Sequence, residues 1–309
     1  MLTLNNLRKT YGNFVAVKGI SFQLEPGDIF GFIGSNGAGK TTTIKMLSTL
    51  LEPTSGSATL DGYDLEKQPM EVRKRIGYMP DFFGLYDDVK VWEYLDFFAT
   101  IYGVPSSQRK EVIDNALSLT DLTLKKDSFV QSLSRGMQQR LCLAKCLVHN
   151  PSLLLLDEPA SGLDPRARSD LKELLLELSR MGKMIIVSSH ILPELSDFCN
   201  KVGIIEKGEL LLFGSVQEIV KGIQSHRQIR AKFIDSADLA LSFVAVQPLV
   251  AQVKTLNEHE LTFDFTGNDE DQAQLLAACV QAGLRPLAFS EESLDLQDVF
   301  LSVTTGAVN

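Results

Sequence analysis

An α/β fold built on a parallel sheet is predicted for this 309-residue chain by three features. The apolar strand Ile29-Phe30-Gly31-Phe32-Ile33 runs straight into Gly34-Ser35-Asn36-Gly37-Ala38-Gly39-Lys40-Thr41, and a helical pattern follows. Two more runs, Leu153-Leu154-Leu155-Leu156 and Ile185-Ile186-Val187, are apolar at every position, as strands covered on both faces must be. Helical stripes lie between these runs, and strands that alternate with helices assemble as a parallel sheet.

The first thirty residues read differently. Short apolar runs (Leu2, Leu4; Val15, Val17; Ile20, Phe22, Leu24) close at Glu25-Pro26-Gly27-Asp28, which predicts antiparallel strands ending in a turn. The glycine-rich stretch comes next. Its glycines let the backbone turn successive N–H groups toward phosphate oxygens, and the helix N-terminus behind it adds partial positive charge. Lys40 can reach β- and γ-phosphates and the Thr41 hydroxyl can ligate Mg²⁺. The loop, with Thr42 directly after it, is assigned to a nucleoside triphosphate.

Ile44, Leu47 and Leu51 give the following helix its buried face, and a second strand pair is expected around the Asp61-Gly62 turn. From residue 87 to about 130 the pattern is helical, with Val91, Tyr94, Leu95, Phe98, Ile101 and Tyr102 as a core-facing stripe. Trp92 and Phe97 fall off it, and serve either a second buried face or a docking surface. A helix follows Leu133-Ser134-Arg135-Gly136. Pro165 is expected at the first position of another helix, capped by Asp164 and ended by Gly182. A hairpin turning at Lys207-Gly208 closes the domain, read as residues 1–222.

A polar linker is expected from about Lys221 to Gln228. Residues 228–309 then read as strand, helix, strand, strand, helix, strand, a small ferredoxin-like α+β domain. Leu156-Asp157-Glu158-Pro159 ends a buried strand with two carboxylates, at the place where α/β sheets hold ligands. Asp157 suits Mg²⁺, and Glu158 suits orienting and deprotonating an attacking water.

Composition narrows the classes. No run approaches the roughly 20 apolar residues of a membrane span. Residues 1–6 lack a basic start and an apolar core, so no secretory signal is expected. A net charge of −9 argues against a nucleic-acid partner. Cys142, Cys146, Cys199 and Cys279 form no Cys-x-x-Cys pair, which predicts reduced, metal-free thiols.

On these motifs the chain resembles the nucleotide-binding subunits of ATP-binding-cassette (ABC) transporters over residues 1 to about 220. Leu133-Ser134-Arg135-Gly136-Met137-Gln138-Gln139-Arg140 looks like the family signature. Ser161-Gly162-Leu163-Asp164 resembles its D-loop, and His190 after Ser188-Ser189 resembles its switch histidine. The resemblance implies a phosphate-loop NTPase cassette with an N-terminal antiparallel β-subdomain and a helical subdomain. It implies that Tyr11 stacks on adenine, that His190 hydrogen-bonds the γ-phosphate, and that Ser134 and Gly136 close the site of a second copy. Two cassettes would meet head to tail around Mg·ATP and drive a separate membrane permease, holding the chain at the cytoplasmic face of the membrane. Residues beyond the linker are similar to the appended domain of ABC-2-type exporter ATPases, with Ser293-Leu294-Asp295-Leu296-Gln297-Asp298-Val299-Phe300-Leu301 like their closing helix.

Some positions depart from the pattern. Arg135 stands where the signature usually has glycine, Met137 where it has glutamine, and Ser35 where the loop often has proline. Met79-Pro80-Asp81 occupies the Q-loop, so Asp81 either contacts Mg²⁺ directly or has lost that role. Docking of the permease is expected near Asp81, with Phe82, Phe83, Trp92 and Phe97 forming an apolar groove. The rival reading is a soluble ABC ATPase of translation or DNA repair. Such relatives carry two cassettes or a long coiled-coil insertion, and neither is seen. A GTPase is disfavoured because no Asn/Thr-Lys-x-Asp follows the loop.

Overall fold

Three sheets organise the chain in the computed structural model, which describes residues 1–292 except 83, 85, 87, 192–194, 196, 217 and 220–226. The chain divides into two compact units after Val216.

The first unit opens on an antiparallel sheet ordered β2-β1-β4-β5, from β1 (Leu2–Tyr11), β2 (Phe14–Leu24), β4 (Ser55–Leu60) and β5 (Tyr63–Asp64). Its central sheet has six strands in the order β10-β9-β3-β8-β7-β6. These are β3 (Ile29–Ile33), β6 (Ile76–Met79), β7 (Leu153–Asp157), β8 (Met184–Ser189), β9 (Lys201–Glu206) and β10 (Glu209–Ser215). All pairs are parallel except β9–β10, a hairpin whose Lys207 and Gly208 both take positive φ, as a tight two-residue turn demands. The two sheets share one core. Leu4, Val17, Ile20 and Leu24 from the first meet Phe32, Leu153, Leu155 and Ile186 from the second, and the Phe22 and Phe30 rings lie 4.9 Å apart. Each fully buried Leu, Ile or Phe there contributes about 1.5–3 kcal/mol.

Helices α1 (Lys40–Leu47) and α2 (Pro69–Arg73) accompany this core. A second cluster builds the helical subdomain from α3 (Val91–Ile101), α4 (Ser106–Leu119) and α5 (Arg135–Leu147) around Leu95, Leu117, Leu141 and Ala144. Val91, Tyr94 and Leu95 are buried as expected, but Ile101 is 61% exposed and Ala99 is buried in its stead. Ile101 is the last helical residue, on the margin of the stripe, just before Gly103 turns the chain at φ 76°. The expected aromatic groove also divides. Phe97 is half-exposed beside Tyr86 (ring centroids 5.8 Å apart), whereas Trp92 packs on the subdomain core and lines a cleft with Arg109 and Lys126. Positions 92 and 97 lie on different sides of a 3.6-residue helix, so one groove cannot hold both. Phe82 is 89% exposed and Phe83 lies outside the described residues. Helix α6 (Pro165–Arg180) has Pro165 at its start and the Asp164 carboxylate accepting from Ala167 N at 2.8 Å.

The second unit is an antiparallel sheet ordered β12-β13-β11-β14, from β11 (Arg227–Phe233), β12 (Val250–Asn257), β13 (Glu260–Phe265) and β14 (Pro286–Glu292), with α7 (Ala237–Val244) and α8 (Asp269–Gln281). That order and those connections are ferredoxin-like. Ile229, Ala231 and Phe233 are buried while Arg230 and Lys232 are exposed, the period-2 alternation of a half-covered sheet. Arg227 and Gln228, read as the end of a linker, are instead the start of β11, paired with Phe265 and Asp264. The remaining linker at 221–226 and the closing helix expected at 293–301 lie outside the described residues. All four cysteines are free and buried.

Candidate functional site

Parallel pairing brings the carboxyl ends of four strands to one edge. Ile33 aligns with Ser189, Asp157 with Ser188, and Leu156 with Met79. Gly34, Glu158, His190 and Pro80 are therefore the residues that leave the sheet together, at the edge where such sheets hold ligands.

The loop needs its glycines. A Cβ on Gly34 would stand 2.3 Å from the Ile205 carbonyl oxygen. Gly39 takes φ 114°, and a Cβ there would lie 2.8 Å from the Ala16 carbonyl oxygen. Gly37, at φ 82°, faces open space. Gly208 N–H donates to Ala38 O at 2.9 Å, which pins the loop to the β9–β10 hairpin on one side and leaves Ser35, Asn36 and Gly37 exposed on the other. Lys40 begins α1, almost wholly buried. Its ammonium donates to Gly34 O at 2.6 Å and Ser35 O at 3.4 Å. Thr41 is exposed in the first helical turn and Thr42 is half-buried.

Asp157 is the last residue of β7 and is buried; Ser188 Oγ donates to its Oδ1 at 2.6 Å. Glu158 leaves the strand at φ 50°, a left-handed conformation uncommon for a residue with a side chain. Its N–H donates to the same Ser188 Oγ at 3.0 Å. Its carboxylate turns back over the loop, with Oε1 3.5 Å from Lys40 Nζ and Oε2 2.9 Å from His190 Nδ1. Lys40, Asp157, Glu158 and His190, about 150 residues apart at the extremes, thus form one connected constellation. His190 is held by Glu158 with its ring partly exposed.

The other expected residues lie elsewhere. Ser134 caps α5, its Oγ accepting from Met137 N at 3.4 Å, and Gly136 packs near Leu163 and Ala167. Among the described residues no hydrogen bond joins either to the phosphate loop. Tyr11 ends β1 half-exposed, with Lys9 Nζ 5.4 Å from its ring centroid. Asp81 is exposed just past β6. Burial first, then the charge of Asp157 and to a lesser degree that of Asp81, push the Tyr78 phenol up to about 12.

Two features escaped the sequence reading. Ser188, treated only as a marker before His190, touches both acidic residues. Its signal was a serine pair closing an otherwise apolar strand. Arg135 lays its guanidinium on Gly162, where a Cβ would come within 2.7 Å of it, tying the signature turn to the turn before α6.

The residues fit a nucleoside triphosphate and a small divalent cation. Backbone N–H groups with no side chain above them suit a phosphate chain. Among the described residues no group of three or more His, Cys, Asp or Glu side chains forms a metal cage. One hydroxyl and one carboxylate suit Mg²⁺, which keeps several waters and takes phosphate oxygens as further ligands.

Residues 17–161 match the ABC transporter family model. The linearmycin resistance ATP-binding protein LnrL of Bacillus subtilis is 33% identical over 310 residues, 98% of each chain. A Nod factor export ATP-binding protein I of Burkholderia thailandensis is 33% identical over 303 residues, 98% of this chain and 96% of its own. A solved ATP-binding subunit of an ABC transporter superposes with a TM-score of 0.66 at 30% identity, over 72% of this chain and 92% of that one. Similarity that spans the cassette and both ends of the chain, around a connected Lys–Glu–His site, leads to one conclusion: the chain belongs to the ABC transporter family, as one of its ATP-binding ATPase subunits.

Proposed function

We propose that this subunit energises an ABC-2-type exporter: two copies close head to tail on ATP, and hydrolysis reopens them against a separate membrane permease. The observation that carries the reading is Glu158, whose carboxylate sits between Lys40 and His190 at the mouth of the phosphate loop. The export assignment is supported by relatives named for export and resistance that match the whole chain, including the second unit. No helix among the described residues is long and apolar enough to cross a membrane, and the reading gives the transport path to another chain.

In this mechanism the loop amides and Lys40 bind the triphosphate, and Lys40 exchanges its carbonyl partners for phosphate oxygens. Thr41 and Asp157 would hold Mg²⁺, whose charge would offset that of the phosphates. Glu158 orients the attacking water and takes its proton, and His190, fixed by its bond to Glu158, donates to the γ-phosphate. Ser134 and the backbone of Gly136 supply donors to the triphosphate bound by the opposite copy. Tyr11 stacks on adenine. Residues 1–222 form the cassette and 228–309 an accessory domain that helps pair the subunits or contacts the permease.

The test is Glu158→Gln with ATP, followed by light scattering. The expected result is a stable ATP-dependent dimer that copurifies with a separate membrane permease. A variant that binds ATP yet stays monomeric at micromolar concentration, with and without that permease, would overturn the sandwich.

A further inference from the structure

We propose that Ser188 is a positioning residue of the ATPase site, its one hydroxyl setting both the cation-facing carboxylate of Asp157 and the left-handed peptide of Glu158. This rests on the metal and base roles given above to those two acids. The hydroxyl is fully buried and makes two bonds whose directions fix each other. Its proton goes to Asp157 Oδ1 at 2.6 Å, so a lone pair faces Glu158 N–H at 3.0 Å. The first bond occupies one oxygen of Asp157 and holds the carboxylate plane, which sets how the other oxygen could meet a cation. The second bond holds a peptide that its own conformation disfavours. Glu158 stays at φ 50° because both its sides are tied, by N–H to Ser188 and by its carbonyl, which accepts from Ser161 N at 3.1 Å.

The neighbours of Ser188 on β8 continue the pattern. Ser189 O accepts from Gly34 N at 3.4 Å, and His190 Nδ1 meets Glu158 Oε2 at 2.9 Å. Three consecutive residues therefore address the acid pair, the phosphate loop and the base carboxylate in turn. An apolar residue at 188 would leave a buried carboxylate oxygen and a buried N–H without partners, and the peptide of Glu158 free to relax. Threonine keeps the hydroxyl and alanine removes it.

The measurement is Mn²⁺ binding to the ATP-loaded protein by electron paramagnetic resonance, beside kcat and Mg²⁺-free ATP affinity, for Ser188→Ala, Ser188→Thr and Asp157→Asn. Outer partners of metal ligands typically carry about 10–100-fold in metal affinity or activity. Ser188→Ala should weaken ATP-dependent Mn²⁺ binding and lower kcat by about that factor, with Mg²⁺-free ATP affinity nearly unchanged and the far-UV circular-dichroism spectrum still that of the folded protein, although its melt falls because two buried polar groups lose their partner; Ser188→Thr should recover most of the Mn²⁺ binding, the kcat and the melt. If Asp157→Asn abolishes Mn²⁺ binding while Ser188→Ala leaves it and kcat intact, the Ser188 role is wrong and the site reading stands. If Asp157→Asn leaves Mn²⁺ binding intact, the metal reading itself fails and this proposal with it.

Discussion

The central sheet of the first unit and the sheet of the second are both flanked by helices, yet they treat polar residues in opposite ways. Strands β3, β7 and β8 are buried at every position, including Asp157, Ser188 and Ser189 at their ends. Strand β11 alternates, with Ile229, Ala231 and Phe233 inward and Arg230 and Lys232 outward. A sheet covered on both faces has nowhere to place charge except its strand ends, so polar groups gather there and must bond one another. A sheet covered on one face spreads its charges over the other. There, Arg230 and Lys232 share the Glu260 carboxylate at 2.6 and 3.4 Å, pairs worth little in solvent. Concentration makes a site; dispersion makes a surface.

Breaking the concentrated end should have the largest effect. Glu158→Gln should lower kcat by about 10²–10⁴-fold with ATP affinity retained, measured by phosphate release and by nucleotide binding. Lys40→Ala should instead weaken ATP binding itself; undiminished affinity would remove Lys40 from the phosphate loop's function.

Next come the two cores, which should fail separately. Leu155→Ala should cost about 2–5 kcal/mol in the first unit and reduce ATP binding at raised temperature. Phe263→Ala should cost about 3–5 kcal/mol in the second and leave Mg²⁺-free ATP affinity unchanged. Calorimetry resolves the comparison, because a single shared transition would deny that the units melt apart.

Acid should separate the units more gently. His149 stacks on Tyr102 (centroids 3.7 Å apart) and shares a hydrogen bond with Ile76 O at 3.0 Å, and burial pulls its imidazole down from 6.5 to about 4. Its folded form is neutral where the unfolded chain would already be protonated. Its contribution is therefore complete above pH 6.5 and is lost as pH falls toward 4. His149→Phe should flatten the loss of Tm of the first unit across that window. In the second unit, bonds from Arg230 first, then Asn257 and Lys232, hold Glu260 at about 2, below its usual 4.5. That stabilisation is present above pH 4.5 and disappears as pH falls through 4.5 toward 2, so Glu260→Gln should alter only this lower window. The Glu260 effect should be the smallest of the set, since its partners are exposed.

Local chemistry made much of the molecule legible. Pro165 with Asp164, Gly182, and the Asp61-Gly62 and Lys207-Gly208 turns stand where their backbone preferences put them. Legibility failed where geometry depends on what lies across the fold. Ile101 matched a helical stripe but reached its margin as the helix ended, and Trp92 and Phe97 looked like one groove until the helix turned them apart. Arg227 and Gln228 carry the polarity of a linker, and only pairing with β13 makes them a strand.

The sequence by itself determined that a phosphate loop follows a buried strand, that an acid pair ends another, and that a cassette of this family results, because those depend on residue type over a few consecutive positions. The tertiary structure alone decided that Ser188 would hold Asp157 and Glu158 at once, that Glu158 would reach both Lys40 and His190, and that Arg135 would lie on Gly162. The first two follow from the register of parallel strands and the third from the packing of two turns, and no single stretch of chain encodes either.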